Sequence, residues 1–137
     1  MTISIIFCFL ALCFSSCESF TVTDVSLQVK PYDESDRGKF WNLCVNYNEI
    51  GSLDKPKVEF EIKAKDSDFP MHYTRRLREK CEKFNVLVVF TNRQTPHSEW
   101  EWLRRLEADD IEYINVKVLK DNGFIVFKKT FTSEDLK

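Results

Sequence analysis

Glycine is scarce in this chain. Three of its 137 residues are glycine, and Gly38, Gly51 and Gly123 lie far apart. A phosphate-cradling loop needs several glycines together so that the backbone can approach the ligand, so P-loop and dinucleotide-binding chemistry is excluded. Gly-x-Ser-x-Gly, His-Glu-x-x-His and Cys-x-x-Cys are also missing. Those absences remove the nucleophile elbow, the zincin helix and the dithiol redox turn. There is no Asn-x-Ser/Thr sequon, so N-glycosylation is not expected. Only two histidines are present, His72 and His97, and nothing in their spacing gathers a metal-ligand set. No cofactor is expected.

Charge is missing from the first 17 residues, which contain no Asp, Glu, Lys or Arg. Ile3, Ile5, Ile6, Phe7, Phe9, Leu10, Ala11, Leu12 and Phe14 form an apolar run that ends in Ser15-Ser16-Cys17. This pattern predicts a secretory signal peptide over 1–17, cleaved after Cys17 or after Ser19. The run is shorter than the ~20 residues of a membrane span, so no span is expected. A lipoprotein anchor at Cys17 is the alternative, but Phe14 stands where a lipobox wants Leu. The remainder, 18–137, has the length of a single globular domain. Its aromatic content, drawn from twelve Phe, four Tyr and three Trp in the whole chain, is enough for an apolar core. The net charge is −2, with neither half strongly biased, which gives no basis for a nucleic-acid partner.

Outside the leader two cysteines remain, Cys44 and Cys81. In an oxidising compartment an isolated pair reads first as one disulfide.

Strand periodicity is clear in several places. Phe20, Val22, Val25, Leu27 and Val29 alternate with a one-residue slip, which predicts a bulged strand. Trp41, Leu43, Val45 and Tyr47 alternate with Cys44 on the other face. Residues 58–64 alternate apolar and charged. Tyr73, Leu77, Cys81 and Phe84 recur at helical spacing after Asp68 and Pro70, predicting a basic helix that carries Arg75, Arg76, Arg78, Lys80 and Lys83. Val86–Phe90, an unbroken apolar run, predicts the central strand. Ser98-Glu99-Trp100-Glu101 has the form of a capping box opening a second helix, with Trp100, Leu103 and Leu106 on its apolar side and Trp102 flanking. Residues 111–119 and 124–131 predict a hairpin turned at Asp121-Asn122-Gly123. Residues 133–137 read as a frayed tail. The expected fold is α+β, a central mixed or antiparallel sheet with two helices, in the order β-β-β-α-β-α-β-β with a C-terminal β-hairpin.

The candidate binding surface is Trp100 and Trp102 with Arg75 and Arg76. An exposed tryptophan marks a contact surface, and an arginine-rich helix favours anions. Asp33-Glu34-Ser35-Asp36-Arg37-Gly38 resembles a calcium loop, but Arg37 occupies an oxygen-ligand position, so a solvated acidic loop is expected. Thr95-Pro96-His97-Ser98 lies between the Val86–Phe90 run and the second helix. That succession resembles the strand, active-site turn and helix of the glutaredoxin and thioredoxin family. The resemblance implies a redox turn without its sulfur, because Thr95 and Ser98 stand where the cysteines would be, and thiol exchange is then impossible there. No proline stands before Gly123-Phe124-Ile125, where that family places its cis-proline.

Taken together, the residues predict a secreted, non-catalytic domain that binds a protein or small molecule. A degenerate thioredoxin-like domain that holds a partner is one alternative. A small hydrolase using His72 or His97 with neighbouring acids is the other, and no nucleophile–base spacing supports it.

Overall fold

The structure, a computed structural model, describes residues 20–30, 38–48 and 55–137. The expected leader, its cleavage positions and residues 33–37 of the acidic loop lie outside the described residues. Among the described residues, seven strands form two antiparallel sheets. β1 (Val22–Val29), β2 (Phe40–Tyr47) and β5 (Cys81–Asn85) make the first, in the order β1-β2-β5. β3 (Lys57–Ala64), β4 (Met71–Arg76), β6 (Ile111–Leu119) and β7 (Ile125–Phe131) make the second, in the order β4-β3-β6-β7. Two helices, α1 (Val86–Phe90) and α2 (His97–Arg105), and two 3-10 turns, Ala108–Asp110 and Ser133–Leu136, complete the described chain. The fold is thus a small α+β arrangement with two sheets in place of one central sheet. Its order is β-β-β-β-β-α-α-β-β.

The alternating residues dictate the layering. Trp41, Leu43, Val45 and Tyr47 of β2 and Val58, Phe60, Ile62 and Ala64 of β3 are buried in one continuous core, and their neighbours along each strand are not. Period-2 strands with one apolar face bury it by stacking face to face. Phe60 and Phe84 meet across the layers with ring centroids 6.2 Å apart. The slip predicted in β1 is present as a register shift between Val22 and Asp24. At one side β7 reaches β1, where Lys129 Nζ donates to the Val25 carbonyl at 2.8 Å and to Asp24 Oδ1 at 3.1 Å.

Residues 71–90 depart from the sequence expectation twice. The predicted basic helix is a pair of strands, β4 and β5, which pass the chain from the second sheet to the first with buried Leu77 at the corner. The predicted central strand is the one-turn helix α1. Asn85 decides this: its Oδ1 accepts from the Leu87 amide at 3.0 Å and the Val88 amide at 3.4 Å, capping the helix. The Val86 amide donates to the Lys39 carbonyl at 3.0 Å. Val86, Leu87 and Phe90 are buried and Val88 is exposed, a helical spacing. In this way α1 fills the gap between the β4 and β5 sides of the sandwich. The predicted capping box at Ser98 does not form. Pro96 is the N-cap, with no side-chain cap bond, and Ser98 lies inside α2.

The C-terminal hairpin forms as read. Gly123 has φ +85°, the left-handed region that favours glycine, and its amide donates to the Lys120 carbonyl at 2.9 Å. The end of the chain is not frayed. Leu136 is fully buried, and Asp135 accepts from the Thr132 amide at 2.8 Å to cap the last 3-10 turn.

Cys44 and Cys81 lie directly opposite each other on β2 and β5, with Cα atoms 4.0 Å apart and their sulfurs at disulfide distance. The bridge is a cross-strand link on the outward face of the first sheet and not the helix-to-sheet staple that a helical Cys81 would have made. The sequence separation is 37 residues. Loop-closure entropy then gives the bond roughly 3–4 kcal/mol. Reduction under native conditions should lower the urea midpoint of unfolding accordingly. An unchanged midpoint after verified reduction would rule that contribution out.

Candidate functional site

The four residues expected to form one surface are divided among separate environments. Arg75 and Arg76 are successive residues of β4, so they point to opposite faces of the sheet. Arg75 turns inward. Its Nη2 and Nε lie 2.8 and 2.9 Å from Oε2 of buried Glu82, and its guanidinium sits 5.2 Å from the Phe84 ring centroid. Arg76 turns outward and donates to Asp121 Oδ1 at 2.6 Å and to the Lys55 carbonyl at 2.9 Å. Trp100 and Trp102 are both half-buried against the core, so neither is the fully exposed tryptophan of a bare contact patch. Trp102 rims a separate cleft with Asp66, Glu101 and Arg105.

Neither histidine assembles catalytic geometry. His72 is exposed on β4, 3.9 Å from Glu61, and His97 is exposed at the start of α2, 3.9 Å from Glu101. Glu101 already receives Arg104 at 3.3 Å and Arg105 at 3.5 Å. Among the described residues, no group of three or more His, Cys, Asp or Glu could hold a metal ion.

The thioredoxin-like resemblance ends at the sequence. The segment entering Thr95–Ser98 is helical and, among the described residues, every paired strand is antiparallel and no peptide bond is cis. Thr95 Oγ1 accepts from the Asn92 amide at 2.9 Å, which closes an ordinary turn. Glu99, the residue after Ser98, accepts from Tyr73 Oη at 2.8 Å and ties α2 to β4. Burial, reinforced by that bond and by the Glu99 charge, holds the Tyr73 hydroxyl well above its ordinary pKa.

The structure does gather cations around the β4–β5 corner. Lys55, Thr74, Arg75, Arg76, Leu77, Arg78 and Val89 line an open groove of ≈ 620 Å³. Two parts of its frame are fixed. Glu82 accepts from the Arg78 amide at 2.5 Å and the Glu79 amide at 3.1 Å, which sets the turn, and Arg76 ties down the Lys55 backbone. The Arg78 guanidinium meets no carboxylate among the described residues. The charge run 75–78 was visible in the sequence. Lys55 and Val89, which complete the groove, come from distant segments and were not.

Lys39 was also missed. It is fully buried at the entrance of β2, and its Nζ has no hydrogen-bond partner among the described residues, nor do the buried Trp41 Nε1 and Tyr47 Oη of β2. Burial brings the Lys39 ammonium down from 10.5 to about 8, and the Glu107 and Asp110 carboxylates offset part of that shift. Between those values the unfolded chain holds a proton that the folded one has released. Stability therefore rises with pH from about 8 to 10.5, and the burial cost stands in full below about 8. At 1.36 kcal/mol per pK unit that cost is about 3 kcal/mol. Lys39→Met should be more stable than the wild type by up to about that amount at pH 7, and urea titrations should show the gap closing towards pH 10. A gap that does not change with pH would contradict the assignment.

Compared with known proteins, the chain matches no protein-family model, no curated protein and no solved structure.

Proposed function

We propose that this chain is a small exported binding domain that acts without catalysis and engages an anionic partner at the groove beside the β4–β5 corner. The observation that carries the reading is an open groove lined by Lys55, Arg75, Arg76 and Arg78, in which Arg75 and Arg76 are bonded to Glu82 and Asp121 and exposed Arg78 meets no carboxylate among the described residues. Glu82 is buried, so its charge serves the frame and not the opening. A concave cationic surface concentrates anionic ligands and speeds their capture, and added salt weakens it.

Export rests on the apolar, uncharged run before Glu18 and on the cross-strand Cys44–Cys81 pair, which suits an oxidising compartment. Sequencing the amino terminus of protein recovered from the medium should give Glu18 or Phe20. Intact Met1 on cytosolic protein would overturn export.

The binding reading is tested by panning a random peptide-display library on the wild type and on Arg78→Glu. Arg78 is an exposed turn residue, so the variant should keep the wild-type melting temperature. Acidic peptides should be enriched on the wild type and lost from Arg78→Glu. Enriched peptides without acidic bias, or the same peptides on both proteins, would overturn the groove as the site.

A further inference from the structure

The groove runs beside a sheet edge. β4 is the terminal strand of the order β4-β3-β6-β7, so one side of its backbone has no partner strand among the described residues. The register identifies the groups on that side. The Leu77 amide donates to the Pro56 carbonyl at 3.0 Å, and the β3–β4 pairing continues without a slip from Lys57↔Arg76 to Ile62↔Met71. In an antiparallel pair, bonded residues alternate with residues whose N–H and C=O point away. Leu77 is bonded to the β3 side, so Arg75, Tyr73 and Met71 bond to β3. The groups of Arg76, Thr74 and His72 face outward. Thr74 and Arg76 both line the groove, and among the described residues no backbone bond joins either to an element other than β3.

We propose that an extended, acidic segment of a partner protein adds to β4 as a further strand along Thr74 and Arg76. This deepens the groove-binding reading and rests on it. Backbone bonds to an open edge supply affinity, and side chains alternating to either face supply specificity. The two faces of this edge differ. Arg76 and Arg78 are exposed, with Arg76 already bonded to Asp121 and Arg78 meeting no carboxylate among the described residues, while half-buried Val89 of α1 lines the same groove beside inward Arg75. A strand laid here can therefore set acidic residues against Arg78 and apolar residues against Val89. The segment that fits alternates acidic and β-branched apolar residues.

The probe is an acetylated, amidated decapeptide of alternating Glu and Val, titrated into the full domain and followed by amide NMR. It should bind the wild type and lose affinity for Arg78→Glu. Two N-methylated forms then test the mode, each blocking the amides of one edge of the peptide. An added strand bonds through one edge only, so one form should lose roughly tenfold or more and the other should stay within about twofold. The Thr74 and Arg76 amides should become protected from hydrogen exchange in the complex.

Thr74→Pro is the matching protein variant. It removes an outward N–H while the ladder bonds to β3 remain, and proline is tolerated at such edge positions. It should abolish binding with little change in melting temperature, and the methylated peptides decide the matter if it fails to fold. If both methylated forms bind alike, strand addition is wrong while the anionic groove stands. If the parent peptide does not bind, the proposal fails, and the library result alone then decides whether the groove takes another anion.

Discussion

Phe90→Ala should cost the domain about 3–5 kcal/mol, close to the whole stability of many small domains. Phe90 is 7% exposed and, among the described residues, is the one ring that meets four others. Its centroid lies 5.7 Å from Trp41, 5.3 Å from Phe60, 4.4 Å from Tyr73 and 5.7 Å from Phe84. Trp41 and Phe84 belong to the first sheet, and Phe60 and Tyr73 to the second. Removing the ring therefore opens a cavity at the place where α1 joins the layers, and rigid strands on both sides limit collapse into it. Phe90→Leu, which keeps most of the volume, should lose about half as much. Chemical denaturation by urea, read by tryptophan fluorescence, measures both. A loss under about 1 kcal/mol for Phe90→Ala would show that α1 is an appendage and not part of the core.

The role of Phe90 was hidden because the segment that carries it reads as a strand. Val86–Phe90 has β-branched residues and no polar interruption, and periodicity cannot separate a short buried strand from a buried helical turn. The deciding residue is Asn85, just outside the run, whose side chain caps two amides. The reverse error at 71–85 has a different cause. The inward positions of β4 and β5 include Arg75 and Glu82, an ion pair in slots that usually hold apolar residues. With those slots charged the alternation disappears, and Tyr73, Leu77, Cys81 and Phe84 remain as a false helical stripe. β1, β2, β3 and β6 were legible because one face of each is apolar without such exceptions, and β7, which carries Lys129 on its inward face, because Asp121-Asn122-Gly123 marks the turn before it. The groove could be read only as a local run of arginines. Its shape depends on which sheet edge β4 occupies, and that is set by pairing with β3 and β6 far along the chain. Lys39 was invisible for a similar reason, since lysine is almost always at the surface and no neighbour in sequence announces its burial.

Glu82→Ala should be as damaging as the loss of Phe90, about 3–5 kcal/mol, through electrostatics and not volume. The Glu82 side chain is 7% exposed and that of Arg75 17%. One carboxylate oxygen receives Arg75 twice, and the other receives the Arg78 and Glu79 amides. Truncation strands a mostly buried guanidinium and leaves two turn amides without their acceptor, and an unpaired buried charge costs more than the pair contributes. Arg75→Met should be milder, about 1–2 kcal/mol, because Glu82 keeps its two amide donors and Met fills the space over Phe84. The double variant Arg75→Met/Glu82→Leu should recover at least half of the Glu82→Ala loss, since no charge is then left buried alone. A double-mutant cycle in urea gives the coupling directly. Additive losses would mean that the two side chains do not act as a pair. The same variants bear on the groove. Glu82 sets the turn that presents Arg78, so Arg75→Met/Glu82→Leu should weaken acidic-peptide binding even at temperatures where it remains folded, whereas Phe90→Leu should leave that binding close to wild type.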